Sequence, residues 1–489
     1  MPGIIAYSAY IPYYRLNRET ISGAWSRGRA RGEKAVASWD EDTLTLGVSA
    51  GLDCLAAAAA VAEGLSGLYF ATTTSPYKEK QTAALAAGAL DLPADIRTCD
   101  FTGSLRSATQ ALAGALDTTA AGPGNEVLVI AGDMRQGAPG STLELQLGDA
   151  ACALLVGNNE TLADIEASSH RNADILDYWR SGEDRFVRSW EERFGTSIGY
   201  SQVMAGTIKT LLAKTGYQPA DITQVIIYTP DGRSQVEVAR RLGFDPAQLA
   251  DTLFDTAGNT GSAAAFLSLA NALDRARPGD RLLLASYGDG ADAFILKVNE
   301  NINAFLGRHR LKAHLATKRY LDTYEKYLSF RDLIPVEAPR LPDPFPPSAP
   351  VLWREREGLV YLHGGKCTRC GTIHYPPQRI CANCQNKDSF ETMKLAGKKG
   401  RLFTYASDYT LTPNPDPPTV YCCVDLVDGG RMQTVMTDVD PQKLAIGLEV
   451  EMTFRKIFSY KGVHRYGWKV RPAVTAEQTE TEGQKQAAV

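Results

Sequence analysis

The sequence predicts an α/β protein made of one unit written twice, followed by a four-cysteine metal site and a small closed β-barrel. Three observations carry this prediction. The stretch RTCDFTGSLRSATQALAGALD, residues 97–117, returns about 150 residues later as FDTAGNTGSAAAFLSLANALD, residues 254–274, and self-similarity of this kind marks a repeated structural unit. Each copy is followed by two strand-like runs, EVLVIAGD and GDAACALLVG after the first, DRLLLASYGDG and ADAFILKV after the second. Beyond residue 350, two Cys-x2-Cys pairs separated by ten residues precede a series of alternating β-type runs.

The elements follow in chain order. Residues 3–11 are β-branched and aromatic and end at Pro12, as a buried first strand would. Residues 18–34, rich in Arg and Lys, read as an amphipathic surface helix or loop. Residues 43–62 are Ala-rich with helical spacing, residues 65–72 (LSGLYFAT) read as the next strand, and TTTSPYKEKQTAALAAGALDLP as a polar loop entering another helix. Alternation of strands and helices continues to residue 299, the α/β signature. The two repeated helices carry small apolar residues on every face and are predicted to lie buried, side by side, at the centre of a pseudo-two-fold domain. Where their N-termini meet, backbone N–H groups and helix dipoles suit a thioester carbonyl or an enolate oxygen.

Residues 300–331 turn to charged helical sequence, and residues 335–350 hold seven prolines in sixteen positions, which reads as a semi-rigid linker. Runs such as RLFTYASDYTL and LEVEMTFRKIF, between residues 400 and 473, are enough for a barrel of about five strands. The polar tail, 475–489, reads as disordered. The predicted divisions are 1–165 and 166–299 for the two halves, 300–350 for the linker, 351–392 for the metal ribbon and 393–474 for the barrel.

Composition excludes several function classes. With 44% apolar and 22% charged residues in 489, the chain matches ordinary globular proteins with a large core. No run reaches about 18 strongly apolar residues, so no membrane span is expected. The N-terminus lacks a basic n-region and a small-residue cleavage site, so no signal peptide is expected either. Nine cysteines, an odd number that includes the paired knuckles, point to metal rather than disulfides and to a reducing, cytoplasmic setting. A net charge of −4 argues against a dedicated nucleic-acid binder. Residues 351–474 do carry 18 Lys+Arg against 12 Asp+Glu, an excess that suits one phosphorylated cofactor as well as an RNA.

Cys367, Cys370, Cys381 and Cys384 supply four thiolates from two tight knuckles, a tetrahedral set that zinc fills without redox chemistry. Four protein ligands leave no open position, so this zinc is read as structural. An iron-only centre on the same four sulfurs, or a site that has lost its metal, is the alternative. His363 and His374 flank the knuckles and read as exposed turn residues.

Several motifs together resemble a known group. SPYKEKQTAALAAGALDLP, the PDGR of Pro230 to Arg233 followed by VARRLGF, the GNTGSA beginning at Gly258, and the SYGDGADAF beginning at Ser286 resemble the thiolase superfamily, in its 3-hydroxy-3-methylglutaryl-CoA synthase branch. Residues from about 315 to 474 resemble the rubredoxin-like zinc-ribbon and OB-fold family that accompanies such enzymes, often as a separate chain. The resemblance implies a five-layer αβαβα thiolase fold, a coenzyme A thioester as substrate, a homodimer formed by the thiolase-like domain, and a thiolase or hydratase as a possible partner.

The departures from the family pattern direct the chemistry. Where the family has its Glu before the Pro-Tyr of the first loop, this chain has Thr73; where it has His, this chain has Tyr228. The nucleophile position falls on Leu105, beside Ser104, with Cys99 six residues upstream. A Claisen condensation through an acyl-enzyme needs an activated thiolate, whereas aldol chemistry needs a base and an oxyanion site. The expected reaction is therefore aldol or retro-aldol, with Tyr228, Asp231, Tyr287 and Asp289 as acid/base candidates and Asn259 at the oxyanion site. Each has a structural alternative: Asp231 as a turn cap, Asn259 as a helix N-cap, Tyr287 and Asp289 as loop scaffolding, Tyr228 as a core aromatic. His170, in a polar segment, reads as surface, Cys54 and Cys152 as core, and Cys422 and Cys423 as barrel residues. The competing readings are a Claisen-type synthase or acyltransferase using Cys99 or Ser104, and a non-catalytic scaffold that binds acyl-CoA or nucleic acid.

Overall fold

The duplicated sequence folds as two half-sheets. In the computed structural model, which describes residues 1–59, 64–122, 124–337, 348–409 and 414–474, the first half holds β1 (Gly3–Tyr10), β2 (Leu65–Ala71), β3 (Arg97–Phe101), β4 (Glu126–Asp133) and β5 (Ala150–Gly157). The second holds β6 (Ala163–Asn172), β7 (Gln224–Ile227), β8 (Arg281–Tyr287) and β9 (Gly290–Val298). The order β7-β8-β9-β6-β1-β5-β4-β2-β3 makes one nine-stranded sheet, in which the halves join through two pairs, Gly3 with Asp164 and Ile4 with Ala163. Each half repeats an antiparallel hairpin, β4–β5 or β8–β9, beside a parallel neighbour, β2 or β7. The counterpart of β3 in the second half is a single parallel bridge, Val225 to Leu249. All eight residues of β5 are buried, which is why that run reads as continuously apolar rather than alternating.

Four helices position the site: α1 (Ser107–Ala120), α2 (Val203–Thr215), α3 (Ser234–Leu242) and α4 (Ala264–Leu273). Every residue from Ala265 to Leu273 is buried, because α4 packs on β1 and β5 of one half and on β7 and β8 of the other. Helix α1 lies on β2 to β5 and reaches the second half through Thr109, whose Oγ1 donates to Asp292 Oδ2 at 2.8 Å. The turn that opens α4, Gly261–Ala263, touches α1, so the repeated segments meet where their helices begin.

Two expected boundaries shift. The residue 165/166 division falls inside β6, which opens the second half at Ala163. Residues 300–320, expected to be linker, belong to the first unit, composed of 1–37, 46–87 and 92–320. Their charged appearance conceals buried groups: Ile302, Phe305 and Leu311 are core, His314 Nε2 lies 2.9 Å from Asp53 Oδ2, and His309 meets Asp274, the acceptor of the Tyr7 hydroxyl. Residues 338–347 of the Pro-rich stretch and the tail 475–489 lie outside the described residues.

The second unit comprises 38–45, 88–91 and the chain from 321 onward. Its ribbon is β10 (His363–Cys367), β11 (Ile373–His374) and β12 (Phe390–Lys394), ordered β11-β10-β12. Its barrel closes in the order β13 (Lys399–Asp408), β14 (Thr419–Leu426), β15 (Arg431–Met436), β17 (Val463–Pro472), β16 (Glu449–Tyr460), the five strands the alternation predicts. Cys422 and Cys423 sit in β14 as expected. Residues 38–45 join the barrel through a buried ionic cluster in which Arg455 faces Asp40, Glu41 and Asp438, and Lys469 Nζ holds Asp40 at 2.7 Å. No described helix is long and apolar enough to cross a membrane.

Candidate active site and zinc centre

A cavity of about 140 Å³ opens in the first unit against the turn that starts α1, with Ser104, Leu105, Arg135, Asp177, Tyr287 and Asp289 among its walls. Leu105, Asp177, Tyr178 and Tyr287 also line an adjoining recess that ends on Tyr200 and Tyr228. The cleft brings together Ser104, Tyr228, Tyr287 and Asp289 of the expected residues, with Asn259 directly behind Tyr228.

Tyr228 follows β7 and is 3% exposed. Its hydroxyl accepts from Asn259 Nδ2 at 3.0 Å, its carbonyl accepts from the Tyr200 hydroxyl at 2.6 Å, and its N–H donates to Ala285. Because the phenol oxygen is an acceptor here, its own proton is left to donate. Burial raises the phenol pKa, while nearby Arg135 and the Asn259 hydrogen bond oppose that rise. Asn259 also donates to Pro230 O at 3.1 Å and accepts from Gly261 N at 3.1 Å. Both amide protons of Asn259 are thus engaged, one of them on the Tyr228 hydroxyl.

Tyr287 closes β8, and its hydroxyl donates to Asp177 Oδ2 at 2.8 Å. Tyr178 N donates to Asp177 Oδ1 at 2.6 Å. Burial raises the Asp177 pKa, against the pull of the Tyr287 and Tyr178 hydrogen bonds. Tyr200 comes from a π-helical segment, Gly195–Gln202, that leads into α2, and its ring meets Tyr287 edge-on at 5.5 Å.

The turn before α1 holds no thiol. Leu105 packs in the apolar cluster of Tyr200, Tyr228 and Tyr287, and Ser104 Oγ is buried with no hydrogen-bond partner among the described residues. Gly288 fits over this turn because it lacks a side chain: a Cβ there would stand 2.7 Å from Ser104 Oγ and 2.8 Å from Leu105 N. Thr73 is bonded through N and Oγ1 to the Asp133 carboxylate, at 2.7 and 3.0 Å.

The remaining candidates lie on the rim of the cleft or outside it. Asp231 caps the start of α3, accepting from Arg233 N and Ser234 N at 2.9 Å and from Ser234 Oγ at 2.8 Å, bonds that lower its pKa against the opposing effect of burial. Asp289 sits exposed at the β8–β9 turn, on the rim of the cleft. Cys99 lies in β3 opposite Tyr69, its thiol 3.8 Å from Asp100 O, and is not among the cleft's lining residues. His170 is half-exposed and 2.9 Å from Asp292 Oδ1. Cys54 and Cys152 are core residues, their thiol pKa values pushed up by burial.

Sequence reasoning missed Arg135, Asp177 and Tyr178. Arg135 follows a strand end, where sites in α/β folds gather, and that position within GDMRQG was the available signal. Asp177 and Tyr178 lie in an irregular polar segment with no periodicity to mark them.

In the second unit, the sulfurs of Cys367, Cys370, Cys381 and Cys384 all lie within 4.8 Å of one another. Cys367 and Cys384 are 3.6 Å apart, Cys370 and Cys381 3.5 Å, close to the edge of about 3.8 Å for a tetrahedron with 2.3 Å zinc–sulfur bonds. The flanking histidines are not exposed turn residues: His363 is in β10 with Nε2 2.9 Å from Asp91 Oδ2, and His374 is in β11, 3.4 Å from Cys381 Sγ. A charged neighbour and a sulfur explain why these polar rings are partly buried.

Comparison with known proteins agrees with both units. Residues 361–391 match the ChsH2 rubredoxin-like zinc ribbon domain, 394–455 the ChsH2 C-terminal OB-fold domain, and 212–298 the C-terminal domain of 3-oxoacyl-[acyl-carrier-protein] synthase III. The four cysteines are therefore the metal ligands of a structural zinc ribbon. The structure of MvaS in complex with 3-hydroxy-3-methylglutaryl coenzyme A superposes with a TM-score of 0.62 at 21% identity, over 71% of this chain and 94% of that one. A curacin-pathway HMG synthase in complex with acetyl donor-ACP gives 0.61 at 20% identity, over 68% and 88%. Both share the five-layer thiolase fold. Hydroxymethylglutaryl-CoA synthase of Methanobrevibacter smithii is 33% identical over 349 residues, 68% of this chain and 99% of its own length. That of Methanopyrus kandleri is 31% identical over 339 residues, 67% and 97%. On this identity, sustained across nearly the whole of each relative, the chain belongs to the hydroxymethylglutaryl-CoA synthase family.

Proposed function

We propose that the protein makes or breaks the bond between Cα and Cβ of a β-hydroxyacyl-CoA by aldol chemistry, without an acyl-enzyme. The observation that carries this reading is the cleft itself: an apolar Leu105 stands at the head of α1, while two hydrogen-bonded acid/base groups, Tyr228 and the Asp177–Tyr287 pair, line the adjoining walls. In the cleavage direction the Asp177 carboxylate takes the β-hydroxyl proton. The Cα–Cβ electron pair passes into the thioester as an enolate, and the Cβ fragment leaves as an aldehyde or ketone. Tyr228 then gives its proton to Cα, and transfer from Asp177 to Tyr228 restores both groups. Condensation is the reverse sequence.

The family relationship favours a second reading, a Claisen-type synthase, since the matched relatives are hydroxymethylglutaryl-CoA synthases. It requires a nucleophile, and Ser104 Oγ is the candidate inside the cleft. Under either reading the substrate is an acyl-CoA, and the setting we propose is a cytoplasmic homodimer that exchanges substrate with a thiolase or hydratase.

Aldol chemistry predicts that Tyr228→Phe lowers kcat for β-hydroxyacyl-CoA cleavage by about 10²-fold or more while acyl-CoA binding persists. Asp231→Asn, which alters only the cap of α3, leaves kcat within a few-fold. Cleavage at the wild-type rate in Tyr228→Phe contradicts the proposal.

A further inference from the structure

Arg135 is a charged side chain with nothing to hold. It lies two residues past β4, is 7% exposed, and lines the cleft beside Ser104, Leu105, Asp177 and Tyr287. Among the described residues its guanidinium has neither a hydrogen bond nor an ion-pair partner. Its stem is packed away while its guanidinium opens on the cleft, where a guanidinium is shaped to bind a carboxylate with two parallel bonds.

The nearest acid in sequence cannot serve. Asp133 accepts from Thr72 Oγ1, Thr73 N, Thr73 Oγ1, Thr74 Oγ1 and Ser262 N, at 2.7 to 3.0 Å. Asp177 is bonded to Tyr287 and Tyr178, and Asp289 is on the exposed rim. Arg180, the other cation at the cleft, already donates to Thr73 O at 2.6 Å. The placement of Arg135 is built into the repeat: Gly261 adopts φ +63°, and a Cβ there would stand 2.9 Å from Arg135 Cδ and 2.3 Å from Asp133 Oδ2. Glycine at that turn leaves room for the arginine stem.

We infer that Arg135 binds a carboxylate carried by the acyl half of the substrate, so that this cleft takes acidic acyl-CoA thioesters in preference to neutral ones. The inference rests on the acyl-CoA reading of the cleft, and it does not depend on the reaction performed there.

A binding experiment separates the two. Dissociation constants are measured for succinyl-CoA and glutaryl-CoA against butyryl-CoA and valeryl-CoA, in the full chain and in Arg135→Gln and Arg135→Lys, with a thermal melt for each variant. The CoA phosphates are common to all four ligands and cancel. The wild type is expected to bind the carboxylated thioesters about 10- to 100-fold more tightly, the scale of a charge-assisted hydrogen-bonded pair. Arg135→Gln brings that ratio to about one, and Arg135→Lys keeps part of it. Equal or weaker binding of the acidic thioesters by the wild type overturns the inference even if no variant folds. So does a preference that survives in a folded Arg135→Gln. Preference for acidic thioesters in a protein that cleaves no β-hydroxyacyl-CoA supports the inference and overturns the aldol reading. Tyr228-dependent cleavage without that preference does the opposite.

Discussion

Asp177 and Tyr287 set the pH behaviour of the proposed reaction. Cleavage needs the Asp177 carboxylate, so the rate is lost as pH falls through that group's pKa. Burial raises this pKa, and the Tyr287 hydroxyl, by donating to the carboxylate, holds it down. Replacing Tyr287 with Phe removes the donor and favours the protonated acid. The acid limb of the kcat/KM profile for cleavage is therefore expected to move to higher pH in Tyr287→Phe, and an unchanged or lowered limb would remove Asp177 from the role of base. Neither partner was visible as a pair in the sequence, where 110 residues separate them. Asn259 shows the same limit: GNTGSA marks a turn, but only the fold reveals that its amide donates to Tyr228, 31 residues away. Asp231, in contrast, did the local work that Pro-Asp-Gly spells out, capping the helix that follows.

At the scale of elements, the ribbon is the part whose stability comes from metal. The short strands β10, β11 and β12 bury little apolar surface, so the four thiolates must supply much of the folding energy, as in other closed zinc sites. Cys381→Ser is expected to abolish zinc in elemental analysis and to open residues 361–394 to limited proteolysis. Cleavage activity is expected to persist, because a four-ligand zinc has no open position for substrate. Loss of the thioester chemistry in proportion to zinc would assign the metal a role beyond structure. This element was legible from spacing alone, since two knuckles and a ten-residue separation fix the ligand geometry locally. Residues 300–320 were not: His309 and His314 look like surface residues until the fold supplies Asp274 and Asp53 as buried partners.

The whole molecule joins a duplicated thiolase-superfamily unit to a zinc ribbon and barrel, and the duplication explains why its architecture could be read before its chemistry. Repeated strands and helices leave a periodic record, so the half-sheets and the α1 and α4 segments were predictable. The cleft draws on β4, β8, the turn before α1 and an irregular polar segment, and a single sequence contains no sign that these converge. No acyl-enzyme is expected to form, although the family is one of synthases. Intact-protein mass spectrometry after brief incubation with acetyl-CoA tests this most directly, with Cys99→Ala and Ser104→Ala alongside. The expected result is an unmodified mass in all three proteins, together with Tyr228-dependent cleavage. An acetyl adduct on the wild type that vanishes in Cys99→Ala or Ser104→Ala would rule out the aldol reaction proposed here and make the protein a Claisen-type synthase.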